Sequence, residues 1–190
     1  MSIKLQWCYA LVMMTYSGLL FVSGSIERHV RKMLDSEVPL VLLWANERPS
    51  SSGEECWLSE YYAYAPTGYS RYMYRGAADK PPTKPENKDD RNKALLELSV
   101  YSSGGQVKLK AHVGSGSMPK IGGEDTEYTI LYADTTCFIL LLPEKLKASP
   151  VSCVAWVPAH TAHFMHTACR GAFVRLCPAC KKTTEEPAEA

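Results

Sequence analysis

Hydrophobic and polar residues alternate with period two over much of this chain. The clearest case runs from Ala94 to Val113. Leu96, Leu98 and Val100 alternate with Glu97 and Ser99, Ser102-Ser103-Gly104-Gly105 turns the chain, and Val107, Leu109, Ala111 and Val113 answer against Lys108, Lys110 and His112. Alternation on both arms assigns one buried face and predicts a hairpin. A different pattern covers Glu127–Trp156, EYTILYADTTCFILLLPEKLKASPVSCVAW, where three nearly continuous apolar runs (YTILYAD, CFILLL and SCVAWV) are separated by short turns. They read as three consecutive strands that carry two of the cysteines.

The remaining segments fit the same picture. VPLVLLWAN (Val38–Asn46) reads as a strand buried on both sides, and ECWLSEYYAY with YSRYMYRG forms a hairpin about Pro66-Thr67-Gly68. Eight strands are predicted, with no crossover helices between them, which excludes a βαβ topology and leaves an antiparallel barrel or sandwich. An eight-stranded barrel is wide enough for one small ligand or for its own side chains. Before the strands, Ile26–Ser36 predicts a short helix with Ile26, Val30, Met33 and Leu34 on one side, closed off by Pro39. After them, AHTAHFMHTAC predicts a helix of two to three turns and GAFVRLCPAC an extended piece. The long segments Ala77–Lys93 and Gly114–Asp125 predict exposed loops, and the polar KKTTEEPAEA a disordered tail over 181–190.

Charge and cysteines add a compartment. One lysine, Lys4, precedes an apolar stretch of about 15 residues ending at Ser23-Gly24-Ser25, the layout of a secretory signal peptide over 1–24 with cleavage near Gly24 or Ser25. A membrane span wants about 20 apolar residues. Losing Lys4 takes the formal charge from +1 to 0, so charge supplies no case for nucleic acid or anionic membrane as a partner. The expectation is a secreted, monomeric single domain over 25–180. Of seven cysteines, Cys8 leaves with the leader, and Cys56, Cys137, Cys153, Cys169, Cys177 and Cys180 remain. An even number in a secreted chain reads as a disulfide framework with fifteen possible complete pairings.

ILYADTTCFILLL, then CVAW, then a helix ending at a cysteine and a last cysteine near the C-terminus together resemble the tick salivary lipocalins, the family that contains the histamine-binding proteins. The layout is similar over most of the mature chain, and the specific motifs lie in Ile130–Cys180. The resemblance implies an eight-stranded antiparallel lipocalin-like barrel, all-β with flanking helices: a short N-terminal helix and a C-terminal helix packed on the barrel. It also implies a Cys137–Cys169 bond, with Cys56 pairing to Cys177 or Cys180 and Cys153 taking the other. Cys56–Cys180 with Cys153–Cys177 is the favoured set.

Amine-binding members of that family carry carboxylates inside the barrel, because a buried ammonium must be paired. Counting back from Cys56, Trp44 falls at an aromatic position and Glu47 at an acidic one. At three further acid positions this chain has Phe138, Val154 and Tyr128. The resemblance therefore implies an apolar or amphipathic small ligand, such as a fatty acid or leukotriene, ahead of a biogenic amine. The candidate lining is Trp44, Glu47, Tyr72, Tyr74, Leu98, Tyr128, Phe138 and Trp156, with Ile130 beside them; ordinary core packing is the alternative for each apolar or aromatic one. Glu47 and Glu60 can each be an internal acid or a solvated rim residue.

Other chemistries find little support. His160, His163, His166 and Cys169 recur every third residue, but on a helix that spacing drifts about 60° per step, so the row does not face one metal ion. Cys177-Pro178-Ala179-Cys180 lacks the βαβ setting of a thioredoxin-like redox pair. No Gly-x-Ser-x-Gly, His-Glu-x-x-His or P-loop occurs. The expectation is a non-enzymatic carrier with no cofactor and no metal. The alternative is a barrel with a filled interior that binds a host defence protein through Ala77–Lys93 and Gly114–Asp125.

Overall fold

The computed structural model describes residues 24–45, 55–77, 93–116, 125–143, 152–163 and 165–177, with the backbone alone at 44–45, 55–56 and 76–77. A helix over 24–34 (α1) precedes eight strands: β1 (Leu40–Ala45), β2 (Glu55–Ala65), β3 (Gly68–Ala77), β4 (Lys93–Ser103), β5 (Gln106–Gly116), β6 (Asp125–Ala133), β7 (Phe138–Leu141) and β8 (Cys153–Pro158). Each strand pairs antiparallel with the next, and β8 pairs with β1 to close the barrel. The Gly104-Gly105 turn between β4 and β5 has positive φ at both residues, 58° and 76°, as a two-residue hairpin of this twist requires.

The strand directions give the barrel two unlike ends. At one end, the foot, β1 starts, β8 stops and the short turns 66–67, 104–105 and 134–137 lie. At the other, the rim, the connections 46–54, 78–92, 117–124 and 144–151 leave the strands, outside the described residues. α1 closes the foot. Its Val30, Met33 and Leu34 join the core cluster inside the barrel, with Ile26 packed at its edge. Arg31 donates to Glu27 and to the Val100 carbonyl, and Ser102 Oγ donates to Glu27 at 2.7 Å, fastening the helix across the end of β4.

Arg71 makes the same junction from within. Its side chain is wholly buried, and its five N–H groups meet Ser59 Oγ (3.0 Å) and the carbonyls of Ser59 (3.0 Å), Leu34 (2.8 Å), Ser36 (2.9 Å) and Val38 (3.2 Å). Five donors for five acceptors is the full capacity of a guanidinium. Burial lowers its pKa to about 10, which leaves it a cation at neutral pH. The end of α1 and the link into β1 are thus held by one side chain from β3.

A second apolar cluster lies outside the barrel. Ile139, Ala155 and Val157 face outward from β7 and β8 and meet Ala172 and Phe173 of a helix over Thr167–Leu176 (α2). Two disulfides, Cys137–Cys169 and Cys153–Cys177, staple α2 to this wall. The C-terminal helix is therefore present, but it starts later than the sequence pattern predicts. Ala159–Thr161 forms a single 3-10 turn, and GAFVRL, expected to be extended, is helical. Cys169, Ala172, Phe173 and Cys177 recur at three-to-four-residue intervals and supply the buried stripe that the histidine-rich segment before them lacks.

Candidate functional site: the barrel lumen

Strand alternation decides which side chains reach the lumen. From β4, β5 and β6 these include Leu98, Leu109, Ala111, Tyr128 and Ile130; β7 and β8 contribute Phe138, Leu140, Val154 and Trp156. Phe138 lies directly opposite Trp156 near the foot. Of the residues singled out from sequence, Leu98, Tyr128, Phe138 and Trp156 thus meet in one internal cluster, with Ile130. On β7 and β8 the bulkier pair, Phe138 and Trp156, lies toward the foot, and Leu140 and Val154 lie toward the rim.

Tyr72 and Tyr74 are not part of this cluster, which corrects the expectation that they line the lumen. They pair with Leu95 and Lys93 on the outer face of β4, and the Lys93 ammonium sits 3.8 Å from the Tyr72 ring centroid and 5.6 Å from that of Tyr74. The Tyr62 ring packs on Tyr72 from the same side, with centroids 4.8 Å apart. Glu60 pairs with Tyr72 and shares this outer face. Burial, then the Glu60 carboxylate, pushes the Tyr74 hydroxyl pKa up. Inward positions of β3 instead carry Tyr69, Arg71, Met73 and Arg75, opposite inward residues of β2 and β4. Trp44 has its backbone in β1 opposite Ala155, after a register shift; its side chain, all of Glu47, and the Cys56 and Cys180 side chains lie outside the described residues.

Trp57 is among the lumen residues that were not singled out from sequence. Trp57 of β2 is 4% exposed, belongs to the internal cluster and pairs with Arg75 toward the rim. Its indole N–H has no hydrogen-bond partner among the described residues. A buried donor left without an acceptor costs about 1–3 kcal/mol, so such a group marks a place where an acceptor is needed. The signal in the sequence was parity: Trp57 shares its phase with Ser59, opposite Met73. Among the described residues, no carboxylate is buried. Burial also pushes the Tyr128 hydroxyl upward, so it stays neutral and polar at the lumen wall.

The chemistries set aside from sequence can be placed as well. His160, His163 and His166 are exposed, and Cys169 is bonded to Cys137, so its sulfur is no thiolate ligand. Cys177 is bonded to Cys153, which takes it out of a Cys-x-x-Cys redox pair with Cys180. No described helix is long and apolar enough to cross a membrane.

A closed eight-stranded antiparallel barrel, plugged at one end by an N-terminal helix and flanked by a C-terminal one, with an apolar lumen, defines a lipocalin-like protein. The family described as tick histamine binding protein matches residues 28–186, and the chain belongs to that family. No curated protein matches the chain.

Proposed function

We infer that this is a secreted carrier whose barrel encloses a small amphiphile bearing a hydrogen-bond acceptor, such as a fatty-acid-like carboxylate or hydroxyl, in preference to a biogenic amine. The observation that carries this reading is the buried, unpartnered Trp57 N–H in a barrel where no described carboxylate is buried. An ammonium brings only donors and must find an acid; without one its desolvation forbids entry. Of the four acid positions that the resemblance implies, the one at Glu47 lies outside the described residues; at the other three this chain has Phe138, Val154 and Tyr128, which belong to the internal cluster. An acyl chain loses nothing against those side chains and gains about 25 cal/mol for each Å² of apolar surface removed from water. Its polar end then supplies the acceptor that Trp57 lacks. The Lys4-led apolar leader supports export, and the two disulfides suit an oxidising compartment.

Native mass spectrometry of the secreted protein, after exposure to histamine, serotonin and long-chain fatty acids together, tests the assignment. A bound fatty acid is expected, and Trp57→Phe weakens it by roughly 2- to 10-fold, the worth of one net hydrogen bond. Retention of histamine with no lipid overturns it. A second reading has a filled lumen and loops that engage a host protein. The observation in its favour is that Tyr128, Phe138 and Trp156 are only 7%, 3% and 8% exposed. No bound mass from either ligand class is the result it requires.

A further inference from the structure

We propose that the foot of the barrel, outside the lumen, carries a second binding site, one that takes a small carboxylate with a short apolar stem. A cavity of about 170 Å³ opens there between α1, the β6–β7 turn and the end of β8. It would hold roughly five waters at about 30 Å³ each, so its occupant is far smaller than a lipid. Among the described residues, five polar side chains converge on it: His29 and Lys32 from α1, Ser36 after the helix, Thr135 from the turn and His160 from the 3-10 turn. Every one of them can donate. Lys32 is a cation, an imidazole presents an N–H in either tautomer, and the Ser36 Oγ already accepts from the Val38 N–H at 3.1 Å, which leaves its own proton to point elsewhere.

Among the described residues, no carboxylate lines the cavity. Asp35 and Glu37 flank Ser36 in sequence but take no part in the lining. Asp134, next to Thr135, is turned to other work. Its Oδ1 accepts from the Thr136 N–H and hydroxyl at 2.7 Å each and from the Cys137 N–H at 3.0 Å, and its Oδ2 accepts from the Tyr132 hydroxyl at 2.8 Å. The described lining is therefore rich in donors and carries one cation, Lys32, which suits an anion. Its remaining walls are apolar: Met33, Val38, Leu40 and Pro158. That half of the lining has nothing to offer phosphate or sulfate, whose surface is polar all round, but it suits a short hydrocarbon stem.

The site is also rigid. The carbonyls of Ser36 and Val38 are the ones that Arg71 holds from inside the barrel, at 2.9 and 3.2 Å, so the segment carrying two lining residues is fixed before any ligand arrives. Preorganisation of this kind lowers the ordering cost of binding. The inference does not depend on what the lumen holds.

Butyrate is the probe, butylammonium its charge-inverted counterpart of similar shape, and inorganic phosphate the anion without a stem. Each is titrated into the isotopically labelled full chain while the NMR signals of His29, Ser36, Thr135 and His160 are followed, together with those of Trp57 as a lumen reporter. Saturable shifts confined to the foot signals are expected with butyrate, and none with butylammonium. Lys32→Glu, a change on the exposed side of α1, is expected to weaken butyrate by at least about tenfold through charge reversal. Unmoved foot signals, equal shifts with butylammonium, or unaltered affinity in Lys32→Glu each overturn the site. Phosphate binding as tight as butyrate overturns the carboxylate assignment. Butyrate shifts that appear at Trp57 alone place the ligand in the lumen and overturn the foot site as well.

Discussion

The barrel has two kinds of wall. Along β7 and β8 the sheet is buried on both faces, and along β1 it is partly so: all six residues of β8 are buried, and the half-buried Val41 and Leu43 of β1 pack outward while Leu40 and Leu42 pack inward. Along β4 and β5 the faces differ, with Leu96, Leu98, Val100, Val107, Leu109 and Ala111 inside and Glu97, Lys110 and His112 outside. The cause is α2, which covers the first wall and leaves the second to water. An outward position on one wall is therefore a core position, and on the other it is surface. This difference explains why the disulfides sit where they do, since Cys137 and Cys153 both present sulfur to the covered side.

The sharpest way to break the contrast is to put the same charge on each wall. Ala155 is fully buried beneath α2, and a lysine there must either carry its charge into an apolar seam or push the helix off. Ala155→Lys is expected to cost more than about 4 kcal/mol, in the range reserved for buried, unpaired charges. Ser99→Lys, at an outward position of β4 opposite Lys110, should stay within about 0.5 kcal/mol. Urea denaturation of the two variants against the parent measures both. Similar losses from the two would mean that α2 does not shield the wall.

Much of this contrast is visible in the residues themselves. ALLELSVY and QVKLKAHV alternate cleanly because one face is wet, whereas CFILLL and SCVAWV do not alternate because both faces are dry. Eight strands and a short N-terminal helix follow from such patterns, whereas Tyr128, Phe138 and Trp156 became candidates for the interior through the family resemblance. β3 defeated the same method. In YSRYMYRG the aromatic residues occur at both phases, so hydrophobicity does not choose a face, and the usual rule sends arginine outward. Arg71 points inward because the end of α1 presents carbonyls to it, a long-range fact that no local pattern carries. With Arg71 inside, Tyr72 and Tyr74 go out. Trp57 was obscured for a related reason: in ECWLSEYYAY bulky residues again fill both phases, and a bulge between Tyr61 and Ala63 shifts the count. The α2 boundary was missed because its stripe includes cysteines whose spacing doubles as a disulfide signal.

The next largest effect comes from the staples. Cys137–Cys169 closes a separation of 32 residues and Cys153–Cys177 one of 24, and removing either is expected to cost about 2–4 kcal/mol. Replacing Cys137 and Cys169 together by serine, so that no free thiol remains from that pair, should lower the urea midpoint and expose Phe173 and Ile139. Binding of a hydrophobic dye at sub-denaturing urea then rises in that variant and not in Ser99→Lys. If the midpoint falls while dye binding stays at the parent's level, the loss acts through the unfolded chain alone, and α2 holds its place by packing.

The smallest effect separates two acids, one for each wall, whose pKa values are both lowered. Asp134 closes the turn beside Cys137. Burial pushes its carboxyl up, but the hydrogen bonds from Thr136, Tyr132 and Cys137 together pull it below its ordinary value. Asp125 lies on the open wall, and the hydrogen bond from Lys110, with help from His112, lowers it. A carboxylate whose folded pKa is depressed adds stability above its unfolded value, about 3.9, and loses it as pH falls through the folded one. Both should therefore contribute to acid sensitivity below pH 4, but through different physics. The Asp134 bonds are short and local, so salt leaves them alone. The Asp125 pairs are exposed, and at 1 M salt the screening length is only about 3 Å. Melting temperatures at pH 7 and pH 3 are thus expected to differ less in Asp134→Asn than in the parent at every salt concentration. Asn removes the titration and keeps the Oδ1 acceptor for Thr136 and Cys137; in place of Oδ2 it puts an amide N–H, which the Tyr132 hydroxyl must turn to accept. For Asp125→Asn the corresponding gap should be detectable only at low salt. A salt-sensitive Asp134 effect would show that its turn is as open to water as the ladder on β5 and β6, and would take the β6–β7 turn out of the covered wall.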